Sequence, residues 1–287
     1  MIISNFVPKP VQASTLANGF KVLSYPDNSN PIVCIQLYIK TGSVREQTAQ
    51  QGYAHFLEHL VFKNTKKYPD NQITYLAPKL GAMMNAYTDF DTTCYYLLLP
   101  SEELDTGLEI LAEMAMNAKF TQADILVEKD IILEEIRQYR ADPEASFIEY
   151  IQSTYFLKNP MKNPVLGTDA TLLRATLRKL RNFYRKYYRP DNAFLVVAGD
   201  IDPKSIQGRI SDLFSGWEIK PVKDQQTPPP YPEKIAFRSF SRVDSGQELV
   251  AVALPELDEK HPDSEALHIA IRYFAIDSFF IIRLCAR

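Results

Sequence analysis

The sequence predicts an α+β fold: a mainly antiparallel sheet with helices layered on one face, followed by the truncated start of a second homologous domain. Three observations carry this reading. Short strand-like runs come first, long segments at helical spacing follow, and one bounded apolar run at 192–199 (NAFLVVAG) returns after them. A chain of 287 residues that is 46% hydrophobic and 23% charged holds enough apolar surface for one large or two ordinary domains, which excludes a disordered chain. Residues 221–232 (PVKDQQTPPPYP) hold five prolines and little apolar surface, the composition of an extended linker. The expected division is therefore a first domain at 1–220, the linker at 221–232 and an incomplete second unit at 233–287.

Each element has its own signal. Asn18-Gly19 marks a turn ahead of a strand at 20–25, and a second strand is expected at 31–40. With Pro26-Asp27-Asn28 between them, these two strands are expected to pair as a hairpin. From Glu46 the spacing turns helical, with Tyr53, Phe56, Leu57, Leu60 and Val61 on one apolar face. A strand pair follows at 83–87 and 92–99, the second rich in β-branched and aromatic residues and closed by Pro100. Helical patterns occupy 101–117, 122–139, 143–156 and 170–188. The second of these starts at Thr121, with Asp124 three positions on as a capping box. After the run at 192–199 a short helix ends near Phe214.

Beyond the linker, strand-like runs at 234–242 and 248–254 and a helix from Pro262 repeat the opening order. Roughly 55 residues are too few to bury a core of this class alone. The second unit is therefore expected to be truncated, or to complete itself against another half or subunit.

Composition narrows the function. A net charge of -3 leaves no global positive field for a nucleic-acid backbone or an anionic membrane. A basic helix does occur, with Arg174, Arg178, Lys179, Arg181, Arg185, Lys186 and Arg189. Leu173, Leu177, Leu180 and Tyr184 are interleaved at helical spacing, so one face packs and the charges are read as solvated. Trp217 and the run Tyr184, Tyr187, Tyr188 are read as core packing. No apolar run is long enough for a membrane span, and residues 1–8 lack the pattern of a secretory leader. Cys34, Cys94 and Cys285 lie too far apart for a disulfide framework or a clustered thiolate site. These features lead to the expectation of a cytoplasmic protein.

One motif carries chemistry. In His55-Phe56-Leu57-Glu58-His59 the two imidazoles lie four residues apart, about 40° around a helix axis, so both can reach one ion. Glu58 projects from nearly the same side and can approach a water held by that ion. This H-x-x-E-H order is the inverse of the commoner zinc-protease motif. A catalytic zinc takes three protein ligands and keeps one position open. The other histidines, His261 and His268, lie beyond the linker, so an acidic side chain is the natural third ligand. The expected helix at 122–139 offers Glu128, Glu134 and Glu135. Glu128 and Glu135 share a face and Glu134 points about 100° away, which favours Glu135 with Glu128 behind it.

Over most of 19–202 these residues resemble the pitrilysin/insulinase-type zinc peptidases, which include the mitochondrial processing peptidase subunits. Besides H-x-x-E-H, the resemblance rests on the stretch at 128–135 (EKDIILEE), Asn85-Ala86-Tyr87-Thr88, 163–167 (NPVLG) and 188–192 (YRPDN) continuing to Gly199-Asp200. It implies that one zinc is bound by His55, His59 and Glu135 and that Glu58 is the general base. Glu128 would be the further acidic residue of the catalytic group, one helical face behind the ligand. Asn85 and Ala86 would receive substrate as an added strand. Family members are clams of two homologous halves, and the second half supplies an Arg and Tyr pair that touches substrate. The implied function is a zinc endopeptidase acting on extended peptides, with a second half or a homo- or hetero-dimeric partner. The alternative is a non-catalytic subunit that holds peptides in a larger complex.

Overall fold

The structure, a computed structural model, describes residues 10–156, 159–219 and 261–274. The expected linker, the strand-like runs at 234–242 and 248–254, and the terminal stretch 275–287 lie outside the described residues.

Six strands form one mixed sheet: β1 (Gln12–Thr15), β2 (Lys21–Pro26), β3 (Ile32–Ile39), β4 (Met83–Thr88), β5 (Thr93–Pro100) and β6 (Ala193–Gly199). Their order is β1-β2-β6-β3-β5-β4. Every pairing is antiparallel except β2 with β6. The expected β2–β3 hairpin does not form, because β6 inserts between the two and pairs with both. The hairpin signal at Asn18-Gly19 instead joins β1 to β2, with Gly19 at φ +81°. Among the described residues strand β4 pairs only with β5, which leaves its other edge open there.

The period of two along β3 explains the layering. Val33, Ile35, Leu37 and Ile39 are fully buried, while Cys34, Gln36 and Tyr38 face the other side. The core forms where that buried face meets α1 (Tyr53–Leu60), α3 (Leu104–Met116), α4 (Gln122–Ala141), α7 (Leu177–Tyr187) and α8 (Pro203–Phe214). The remaining helices are α2 (Gln72–Lys79), α5 (Pro143–Tyr155), α6 (Asp169–Leu173) and α9 (Ser264–Phe274). Phe20 stacks on Phe214 at 4.8 Å and meets Trp217 edge-on at 5.4 Å, closing one end of the core as aromatic packing predicts.

Three local departures have physical causes. The helical spacing from Glu46 becomes regular helix only at Tyr53, because Gly52 adopts φ +85° and short 3-10 turns occupy Ser43–Arg45 and Thr48–Gln50. The pattern at 170–188 splits into α6 and α7, where Thr176 restarts the helix by accepting from the Lys179 amide. Helix α2 was not expected; Pro78 sits inside its last turn, a residue that ordinarily marks a helix break. On α7, Leu180, Phe183, Tyr184 and Tyr187 are buried and the basic side chains lie outside. Arg189 differs from them, being buried and 3.4 Å from Asp191. Among the described residues no helix is long and apolar enough to cross a membrane.

The loop after β3 is stitched to the β4–β5 turn. Ser43 and Val44 amides donate to the carbonyls of Asp89 and Phe90 at 3.2 and 2.8 Å. Gly42, at φ -140°, is unstrained, but a Cβ there would sit 2.0 Å from the Asp89 carbonyl oxygen. Gly42→Ala is therefore expected to lower stability by roughly 1–3 kcal/mol, the usual cost of overpacking. Denaturant unfolding checks this, and an unchanged midpoint contradicts it.

Candidate metal centre

Helices α1 and α4 bring the three expected ligands together. The Nε2 atoms of His55 and His59 each lie 3.8 Å from Glu135 Oε2, and the ring centroids are 4.7 Å apart. The three ligand atoms all fall within 4.8 Å of one another. The four-residue interval on α1 stacks the imidazoles on one face, and the capped start of α4 sets the phase that turns Glu135 toward them. Glu134, one residue earlier, points outward and pairs with Arg137.

The donor set fits a divalent cation. The Glu135 side chain is 43% exposed, yet its Oε2 atom is shut from solvent and accepts no hydrogen bond among the described residues. A buried carboxylate oxygen facing two imidazole nitrogens lacks only a cation to satisfy it. Burial, with the neighbouring His59 charge, pushes His55 down to about 3, so it is neutral and able to ligate at physiological pH.

Around these atoms sit the other expected residues. Glu128 lies behind His59, not beside the cluster: its Oε2 is 2.9 Å from His59 Nδ1 and its Oε1 is 2.6 Å from Lys63 Nζ. It accepts a hydrogen bond from Nδ1 and so leaves Nε2 facing Glu135. Burial alone would raise the Glu128 carboxyl, but the contacts with His59 and Lys63 hold it below the usual range. Burial would likewise lower His59, but its bond to Glu128 and the charges of Glu135 and Glu58 raise it. His55 has no such support, since its Nδ1 is buried without a hydrogen-bond partner among the described residues.

Glu58 faces a cavity of about 550 Å³ that His55 and Glu135 also line. Thr88 Oγ1 donates to Glu58 Oε2 at 2.5 Å. Burial pushes the Glu58 carboxyl up, and the Thr88 bond and His59 only partly offset this. Ala86, Tyr87 and Thr88 of the open strand β4 form one wall of the cavity, while Phe90, Ile136 and Pro164 to Gly167 form others. At the strand edge Asn85 Oδ1 accepts from the Ala86 amide at 2.8 Å.

Two supporting contacts were not foreseen. Lys63 lies one helical turn past His59, a spacing that could have indicated it. The Thr88–Glu58 bond depends on how β4 meets α1, for which the sequence holds no local signal.

The His59–Glu128 pair has a defined pH window in the metal-free protein. A depressed carboxyl contributes stability above the ordinary glutamate range and loses it as pH falls through its own value. A raised histidine contributes below its ordinary value and loses it as pH rises through the raised one. Melting temperatures of the metal-free protein should therefore peak between these limits, and Glu128→Gln should flatten the profile. Parallel profiles for the two proteins contradict this.

Compared with known proteins, residues 21–169 match the family described as Insulinase (Peptidase family M16), and residues 174–275 match one described as Peptidase M16 inactive domain. An uncharacterized zinc protease of Rickettsia felis is 35% identical over 202 residues, covering 70% of this chain and 49% of the relative. The zinc protease PqqE of Helicobacter pylori is 29% identical over 277 residues, covering 93% of this chain and 61% of that protein. The crystal structure of the periplasmic protease PqqL from Escherichia coli superimposes with a TM-score of 0.72 at 28% identity, covering 78% of this chain and 26% of that one. The chain thus spans about half the length of the curated relatives it matches. The last likeness overturns the cytoplasmic expectation, since that protease is described as periplasmic. Scarce cysteines fix no compartment, because a core closed by apolar packing needs no disulfide on either side of a membrane.

Proposed function

The chain belongs to the insulinase-type peptidase family M16, and from that premise we propose that it is a zinc-dependent endopeptidase cleaving extended peptides. The observation that carries the reading is the bare Glu135 oxygen placed 3.8 Å from both imidazole Nε2 atoms. His55, His59 and Glu135 would hold one zinc. Bound there, it would supply the Lewis acidity that lets water attack a peptide carbonyl at neutral pH.

The chain's own residues do the rest. Glu58 is the general base: Thr88 occupies its Oε2, which leaves Oε1 to take the proton of the attacking water. The same carboxyl then gives that proton to the leaving amine. Glu128 fixes the tautomer of His59 and Lys63 holds Glu128, so both act through the imidazole. The open edge of β4 at Asn85 and Ala86 offers backbone groups to which an extended substrate adds as a strand. Side chains next to the scissile bond enter the cavity, where Phe90, Ile136, Val165 and Leu166 are apolar and Arg140, Glu149 and Gln152 are polar.

The second match, at 174–275, supports a two-domain architecture. We read a second family half or partner subunit as the completing element, and the boundaries at 220 and 233 as the domain limits. The proline content of 221–232 supports that division.

Zinc analysis and cleavage of a quenched peptide, with the second half or partner present, test the function. Glu58→Gln should keep zinc and lose cleavage by about 10²–10⁴-fold, the usual worth of a general base. His55→Ala and Glu135→Gln should lose zinc. A wild type that binds no zinc, or a Glu58→Gln as active as wild type, refutes the proposal. Zinc-loaded protein that holds peptides without cleaving them points to the non-catalytic reading.

A further inference from the structure

Glu46 is a buried acid that the proposed reaction does not use. It is 7% exposed and forms no ion pair among the described residues. Its Oε2 accepts from the Gly52 amide at 2.8 Å and its Oε1 from the Ala54 amide at 2.7 Å. These amides belong to the cap and first turn of α1, the helix that carries both imidazoles. Burial pushes the Glu46 carboxyl up to about 8, against the pull of the Ala54, Gly52 and Tyr53 amides.

The same turn is gripped by a second segment. Gly52 and Gly167 meet backbone to backbone: a Cβ on Gly52 would lie 2.5 Å from the Leu166 oxygen, and one on Gly167 would lie 2.7 Å from Gly52 Cα. Thr171 Oγ1 also donates to the Gln51 carbonyl at 2.8 Å. Pro164 to Gly167 line the cavity, so one clamp joins its wall to the start of the metal-site helix.

The two histidines are held differently. His59 is anchored through its ring by Glu128, whereas among the described residues the ring of His55 has no hydrogen-bonded anchor at Nδ1. The direction of His55 Nε2 is thus set by the backbone of α1, one residue past the amide that Glu46 holds. We propose that Glu46 is a positioning residue of the metal centre, fixing the start of α1 so that His55 faces Glu135. This rests on the zinc reading given above.

The test compares wild type, Glu46→Ala, Glu46→Gln and Leu195→Ala, the last a buried position on β6 that serves as a control for general destabilisation. Zinc affinity is measured by chelator competition, geometry by the visible absorption of the cobalt-substituted proteins, and stability by thermal melts. Glu46→Ala should weaken zinc binding about 10–100-fold, as loss of an outer support typically does, and alter the cobalt spectrum. Glu46→Gln, which keeps the shape and one acceptor, should show a smaller loss in the same direction. Leu195→Ala should melt earlier yet keep the wild-type spectrum. Wild-type affinity and spectrum in Glu46→Ala overturn the proposal, as does an equal loss in Leu195→Ala. Should Glu46→Ala not fold, wild-type behaviour in Glu46→Gln overturns it. Failure of the wild type to bind zinc overturns the zinc reading as well, whereas binding by wild type and variants alike overturns only this inference.

Discussion

An eight-residue helix cannot hold itself in water, and both imidazoles ride on one. Everything at the site follows from how its surroundings hold α1. Phe56, Leu57 and Leu60 are sunk in the core, the backbone of Gly52 is pressed against Gly167, and the ring of His59 is tied to α4 through Glu128. A helix so enclosed has little freedom to roll, and a roll of a few tens of degrees would carry His55 away from Glu135. Ordinary apolar packing therefore arranges the candidate donors in advance, as a metal site would require.

The charges tell a consistent story. Glu58, Glu128 and Glu135 crowd around two imidazoles, and Lys63 is the fixed cation that pairs with one of them, Glu128. Crowding acids into a partly buried space is costly. The crowding is tolerable because the acids are sorted by environment. Glu128 is held ionised by its hydrogen bond to His59 and the contact with Lys63, Glu58 is pushed toward neutrality by burial, and Glu135 keeps an oxygen with no hydrogen-bond partner among the described residues. Similar side chains thus acquire three different electrostatic settings from position alone.

Much of this was legible in the sequence because it rests on periodicity. The four-residue interval of His55 and His59 and the seven-residue interval of Glu128 and Glu135 each fix a face of a helix, and the Thr121 cap fixes where one helix begins. What could not be read was long-range. The order of strands at the centre of the sheet, the left-handed Gly52 that delays α1, and the bond from Thr88 to Glu58 all depend on segments far apart in the chain. Tertiary packing decides such features, and no window of neighbouring residues contains them. The cellular address was misjudged for another reason: cysteine spacing reports on disulfides, not on destination.

The place of β6 bears on how the molecule is made. Among the described strands the interior strand β6 comes last in the chain, about 160 residues after the neighbours it joins, so ribosomal synthesis delivers both flanks long before it. Until it emerges, neither β2 nor β3 can make the pairing it has with β6 in the folded sheet. Strand edges that wait so long for their partner are the ones at which a growing chain is open to mispairing.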